Sequence, residues 1–220
     1  MNTTERAKLV RAVSPKGVAK YPKLNEPDKK FKADGEYSVR LVCKREDAEP
    51  FIKAVKDVFV EHYKATCVKE KKKELKSAEM PWKKVTNDSG VETGEVEIKF
   101  GLAAKIVSKK TGQSWEQRPA LFDSKGHAIT DRIGGGSVIK VATEVYPWYT
   151  PLLGCGVSLR CKAVQVIELH QYSGGNASNF GFTAEEEGFV SGGESFPDSA
   201  FTPKTENTDE VAEPKVPGDF

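Results

Sequence analysis

Ser137-Val138-Ile139-Lys140-Val141-Ala142-Thr143-Glu144-Val145-Tyr146 alternates with a period of two. Ile139, Val141, Thr143 and Val145 fall on one side, with Lys140, Glu144 and Tyr146 on the other. That is the pattern of a strand with one buried and one wet face. Gly156 to Leu169 reads the same way. Val157, Leu159, Cys161, Ala163, Ile167 and Leu169 share a side, and Arg160 and Lys162 point oppositely.

Working outward, strands are expected from Lys8 to Leu24, interrupted by the turn Ser14-Pro15-Lys16-Gly17. Asn25-Glu26-Pro27-Asp28 reads as a polar turn before a strand at Tyr37 to Cys43. One helix follows. Glu46, Asp47 and Glu49 place negative charge near its positive end, and Pro50 suits a first turn. Phe51, Val55, Val58, Phe59 and His62 form its apolar stripe, and the lysine-rich run Lys69 to Lys76 reads as a solvated extension.

After the loop Asn87-Asp88-Ser89-Gly90, one long strand is expected from Glu95 to Ser108. Its return runs from Ser114 to Phe122, past turns at Lys109-Lys110-Thr111-Gly112 and Asp123-Ser124-Lys125-Gly126. Several strands, a single helix and no βαβ alternation imply a small closed or partly closed barrel. From Ser173 onward no periodicity survives, and Gly, Ser, Asn, Pro, Glu and Thr dominate. The expected organisation is a domain over 1–172, carrying a helical insertion at 46–78, and a flexible tail over 173–220.

The net charge of +2 conceals an asymmetry. Thr183 to Phe220 holds ten acids against Lys204 and Lys215, a net of −8, so the rest of the chain carries +10. Two readings fit: a polyanion binder carrying a mimic of its ligand, or a mildly basic domain with a solubilising tail. Cys43, Cys67, Cys155 and Cys161 show no CxxC pairing, and with three histidines they make no zinc ligand set. Reduced thiols in a cytosolic protein are expected, with Cys161 as core filler. No apolar run reaches the ~18 residues that span a bilayer, and the opening MNTTERAKLV has no signal-peptide h-region.

No catalytic constellation stands out, so no enzyme is expected, and no cofactor or metal. Gly134-Gly135-Gly136-Ser137 lacks the phosphate-loop frame and reads as a loop between strands. What remains is aromatic and basic residues interleaved on strands: Trp115 and Arg118, then Lys140, Tyr146, Trp148 and Tyr149, then Arg160 and Lys162, with Lys105 nearby. Unpaired nucleic acid requires flat rings for bases and cations for phosphates. The alternative at Tyr146-Pro147-Trp148-Tyr149 is a plug for a barrel end.

Gly17-Val18-Ala19-Lys20-Tyr21-Pro22-Lys23-Leu24-Asn25-Glu26-Pro27-Asp28, with Phe31, Gly35 and Tyr37 beyond it, resembles the opening motif of bacteriophage single-stranded DNA-binding proteins of the podovirus type. Gly136 to Tyr149, Gly156 to Ile167 and the terminal Asp219-Phe220 are similar to later parts of that family. The resemblance implies a five-stranded OB-fold barrel with an inserted helix, binding single-stranded DNA in phage replication, recombination and repair in the cytoplasm of the infected host.

It adds Tyr21 and Lys23 to the candidate contacts. It also implies an acidic tail, ending in Asp219 and Phe220, that competes with DNA and docks phage or host DNA polymerase and helicase. A homodimer is left open. Pro214, Lys215 and Pro217 depart from a uniformly acidic tail. Rival readings are a replication adaptor with no direct DNA contact and a metal-dependent nuclease. A coil of 48 residues spans roughly 40 Å, against a radius of gyration of about 16 Å for the folded part, so a tail from Ser173 reaches most of the domain.

Overall fold

The computed structural model describes residues 9–108, 111–171 and 183. Among them the strands are β1 (Val10–Val13), β2 (Gly17–Asp28), β3 (Glu36–Lys44), β4 (Trp82–Thr86), β5 (Glu92–Ala103), β6 (Lys105–Val107), β7 (Ser114–Glu116), β8 (Ala120–Phe122), β9 (Val138–Thr150) and β10 (Gly154–Glu168). The helix α1 (Arg45–Lys69) joins β3 to β4.

Five strands close a ring. β9 pairs with β2, β2 with β3, β3 with β5, β5 with β10, and β10 with β9. All the pairings are antiparallel except β5 with β10. This is the five-stranded OB-type barrel, mainly β with one helix, and β1, β4 and β8 attach outside the ring. Buried positions alternate with more exposed ones along most of β5 and β9, as closure demands. Leu41, Ile98, Phe100, Ile139, Val141, Val145, Leu159 and Cys161 are buried.

Two seams of the ring are narrow. β2 meets β9 only at Gly17↔Ile139 and Val18↔Val138, and β5 meets β10 only at Arg160↔Gly101. The second seam is filled by the chain after α1. Cys155 N donates to Lys76 O at 2.8 Å, Ala78 N to Cys155 O at 2.7 Å, and Lys99 N to Pro81 O at 2.8 Å. A side chain at Gly154 would put its Cβ 1.9 Å from Lys76 O, so only glycine permits this approach. The Tyr63 hydroxyl fastens the same segment, donating to Leu75 O and accepting from Leu75 N, both at 2.9 Å.

The helix caps one side of the barrel. Ala48, Phe51, Val55, Phe59 and Thr66 are buried along one stripe, and Phe51 meets Phe100 with ring centroids 6.1 Å apart. α1 begins at Arg45, so Pro50 lies in its second turn rather than its first, and its missing N–H leaves a gap in the helix ladder.

Several expectations are corrected. Asn25 to Asp28 is strand, not turn: Asn25 Nδ2 donates to Asp131 O at 2.8 Å, Ile133 N donates to Asn25 Oδ1 at 3.0 Å, and Asp28 pairs with Glu36. The turn falls beyond it, with Gly35 at φ +80°. Lys69 to Lys76 is no helical extension, because α1 stops at Lys69 and Lys71 takes φ +53°.

The long strand from Glu95 breaks at Ala104, whose N–H bonds Gly35 O at 3.0 Å, and β6 turns away to pair with β7. The return strand is likewise split, because β8 leaves the hairpin to pair parallel with β10. In β10 a bulge between Cys161 and Ala163 reverses the phase. Val164 and Val166 are buried in place of Ala163, Ile167 and Leu169. β4 has no counterpart in the sequence reading, and β9 runs on through Thr150.

Candidate nucleic-acid interface

The residues opposite the buried set share the outer wall of the barrel. Ser38 and Arg40 alternate with Val39 and Leu41 on β3, and Lys99 and Gly101 alternate with Ile98 and Phe100 on β5. Register places Lys20 beside Arg40 and Arg40 beside Lys99. One step along, Ser38 lies beside Gly101, Gly101 beside Arg160, and Arg160 beside Glu144. Adjacent strands are about 4.8 Å apart, so Arg40 on β3 and Arg160 on β10 flank β5 across about 10 Å.

Each end of this strip has an aromatic–cation pair. Tyr21 sits at an irregularity in β2 between Lys20 and Lys23, with φ +50°, and its ring is 74% exposed. A tyrosine at positive φ is uncommon, and here it turns the ring out of the sheet beside Arg40, whose guanidinium lies 6.0 Å from the ring centre. At the other end the Arg160 guanidinium lies 3.6 Å from the centre of Tyr146.

Trp148 follows on the same side of β9. Its indole covers Gly156, where an added Cβ would lie 2.2 Å from Trp148 Cζ2, and its Nε1 donates to Ser158 Oγ at 2.9 Å. Lys162 also faces outward, 3.9 Å from Glu144.

The other sequence candidates are distributed more widely. Lys105 and Arg118 line a cleft at the foot of the β6–β7 hairpin with Lys29, Asp34 and Glu116. Trp115 is half-exposed on β7, opposite Ile106. Lys23 pairs with Ser38 beside the strip. Lys140 stands six residues before Tyr146 on β9, about 20 Å along the strand, among Val13, Phe122, Ala142 and Ala163. Tyr149 packs partly buried against the hydrophobic core, and is not among the rings that the outer wall brings together. Asp219 and Phe220 lie outside the described residues.

Sequence reasoning missed Arg40 and Lys99, although their alternation with buried neighbours was legible. It also missed Phe31 as a contact. In the β2–β3 loop this ring is 87% exposed with Lys30 Nζ 5.5 Å from its centre. Leu152 and Leu153 are exposed in the β9–β10 turn. In OB-folds the second and third barrel strands, with the loops joining strands one to two and four to five, carry oligonucleotide binding. Here those are β3, β5, the Phe31 loop and the Leu152 turn.

Three of the four thiols, Cys43, Cys155 and Cys161, are buried. Burial, with help from Asp47 and Glu95, pushes the Cys43 thiol up to about 11. Burial pushes Cys161 up to about 12, and it raises Cys155 as well. Among the described residues no group of three His, Cys, Asp or Glu side chains could hold a metal ion, and no helix is long and apolar enough to cross a membrane.

Residues 16–169 match the family described as single-stranded DNA-binding protein, bacteriophage T7. No curated protein matches the chain in sequence. Among solved structures, the single-stranded DNA-binding protein encoded by bacteriophage T7 is similar at 25% identity. The match covers 84% of this chain and all of that one, with a TM-score of 0.64. The single-stranded DNA-binding protein of bacteriophage Enc34, solved in complex with single-stranded DNA, is 15% identical over 74% of this chain and 89% of that one. Its TM-score is 0.50, a likeness of fold.

Proposed function

The chain belongs to the family of the bacteriophage T7 single-stranded DNA-binding protein, and from that premise we propose that the outer wall running from Tyr21 to Trp148 is the surface on which it binds single-stranded DNA in phage replication. The two aromatic–cation pairs, Tyr21 with Arg40 and Tyr146 with Arg160, carry this reading. A base stacked on an exposed ring contributes about 1–3 kcal/mol whatever its identity, so binding has little sequence preference. Arg40, Lys99, Arg160 and Lys162 take successive phosphates and release counterions, which makes affinity fall as salt rises. Duplex DNA hides its ring faces in the stack and leaves the exposed tyrosines nothing to stack on, so the single strand wins.

The protein acts without catalysing a reaction, in the cytoplasm of the infected bacterium. Its functional units are a binding domain over 1–172 and an acidic segment over 173–220. That segment competes with DNA for the cationic wall and docks polymerase or helicase through Asp219 and Phe220. The charge of −8 from Thr183 onward supports the competition.

Titrating an oligonucleotide against tryptophan fluorescence tests the binding: quenching that added salt reverses is expected. Absence of any salt-sensitive interaction with single-stranded DNA overturns it in favour of a protein adaptor. Cleavage of labelled DNA with Mg²⁺ would overturn the non-enzymatic reading. Gel shifts with and without residues 183–220 test the tail, whose deletion is expected to tighten binding at low salt.

A further inference from the structure

Two carboxylates on the proposed binding wall are each shared by two cations, whereas Glu36, on the same wall, is paired among the described residues with Lys32 alone. Glu97 on β5 is held by Arg40 from β3 at 3.0 Å and by Lys83 from β4 at 3.3 Å. Glu144 on β9 is held by Arg11 from β1 at 3.7 Å and by Lys162 from β10 at 3.9 Å. In both clusters the acid is recessed and the cations protrude. The Glu97 and Glu144 side chains are 11% and 17% exposed, against 44% for Arg40 and Lys162, 66% for Lys83 and 84% for Arg11.

An anion arriving from solvent therefore meets the cations before it meets the acid. Each cluster is one acid shared by two bases, so it keeps a net positive charge while its cations are already partly neutralised.

We propose that Glu97 and Glu144 are internal substitutes for DNA phosphates, holding the cations of the wall until a polynucleotide takes them over, and thereby setting the affinity below what the wall would otherwise reach. The inference rests on the single-strand binding proposed above and names which residues set its strength. In the free protein the carboxylate occupies part of each cation's demand for an anion, so fewer salt counterions gather there and fewer are released on binding. After binding the recessed acid stays near the backbone and repels it. A unit charge about 6 Å from a phosphate in a water-like medium changes affinity about threefold.

The alternative role for such acids is to hold the cations in a binding-ready geometry, and it predicts the opposite sign. Glu→Gln separates the two, because it keeps the shape and a hydrogen-bond acceptor while removing the charge. The full chain and its E97Q, E144Q and doubly substituted variants are titrated with a fluorescent oligonucleotide at several salt concentrations.

E92Q is the control for removing a strand carboxylate that is exposed and paired with a single cation. Glu92 is paired with Lys84 five residues before Glu97 on β5, beyond the wall. Each wall substitution is expected to tighten binding about threefold at low salt and to steepen the salt slope by up to about 0.7, with little change for E92Q. Unchanged or weaker binding by the wall variants, or an equal gain from E92Q, overturns the inference while leaving single-strand binding standing. Failure of the unsubstituted chain to bind the oligonucleotide overturns both.

Discussion

The Arg160 guanidinium lies 3.6 Å from the centre of the Tyr146 ring, and register holds the two there: Arg160 sits opposite Glu144 and Tyr146 opposite Ser158 on the antiparallel neighbour. One face of the ring is thus occupied by a cation, and the proposed function puts a base against the exposed part of the ring. Y146A is expected to weaken oligonucleotide binding about 5- to 150-fold, the loss of one stack. Y146F should bind nearly as the unsubstituted chain does. Fluorescence anisotropy reads both, and equal affinity for Y146A would remove Tyr146 from the interface.

Arg160 makes a separable contribution. R160A should weaken binding and also lower the salt slope by about 0.7, the share of one phosphate on a single strand. A weaker complex with an unchanged slope would mean that Arg160 acts only by orienting Tyr146.

Gly156 tests how Trp148 is seated. A methyl group at this position meets the indole at 2.2 Å, so G156A must displace the ring and release its bond to Ser158. A shift in tryptophan emission and a stability loss of about 1–3 kcal/mol in urea unfolding are expected. The W148F chain, which has no indole to displace, should lose less when Gly156 is replaced.

The buried thiols tie stability to alkaline pH. The folded values of Cys43 and Cys161 lie above the ordinary 9.0, at about 11 and about 12. Below pH 9 both states hold their protons and the contribution is intact. Above it the unfolded chain ionises while the folded one does not, so stability falls as pH rises from 9 toward 11–12. The slope is at most about 1.4 kcal/mol per pH unit for each thiol. Urea midpoints at pH 8 and pH 10.5 measure the fall, and C161A should reduce it.

Phe100 joins barrel to helix, fully buried and against Phe51. F100A is expected to cost about 3–5 kcal/mol, read as a lowered urea midpoint, with the unfolding of α1 and of the barrel remaining a single transition.

The order of strand and helix was written in local patterns, because alternation and the 3.6-residue stripe need only neighbours along the chain. Ile139 to Val145 and Phe51 to Phe59 are buried on the sides that those patterns predicted. The family motif from Gly17 to Asp28 was equally legible, and so was the outward direction of Arg160 and Lys162. Breaks in the pattern were not. The bulge after Cys161 inserts one residue and exchanges the buried set for Val164 and Val166, and nothing local announces it.

Closure of the ring was also out of reach. It depends on pairings between residues 59 or more apart, such as Gly101 with Arg160, and on a segment after α1 filling a seam. Which rings and cations share a wall follows from that closure. Local chemistry could therefore nominate Tyr146 and Arg160, but only packing across strands set Tyr21, Arg40 and Lys99 beside them and turned Tyr149 toward the core.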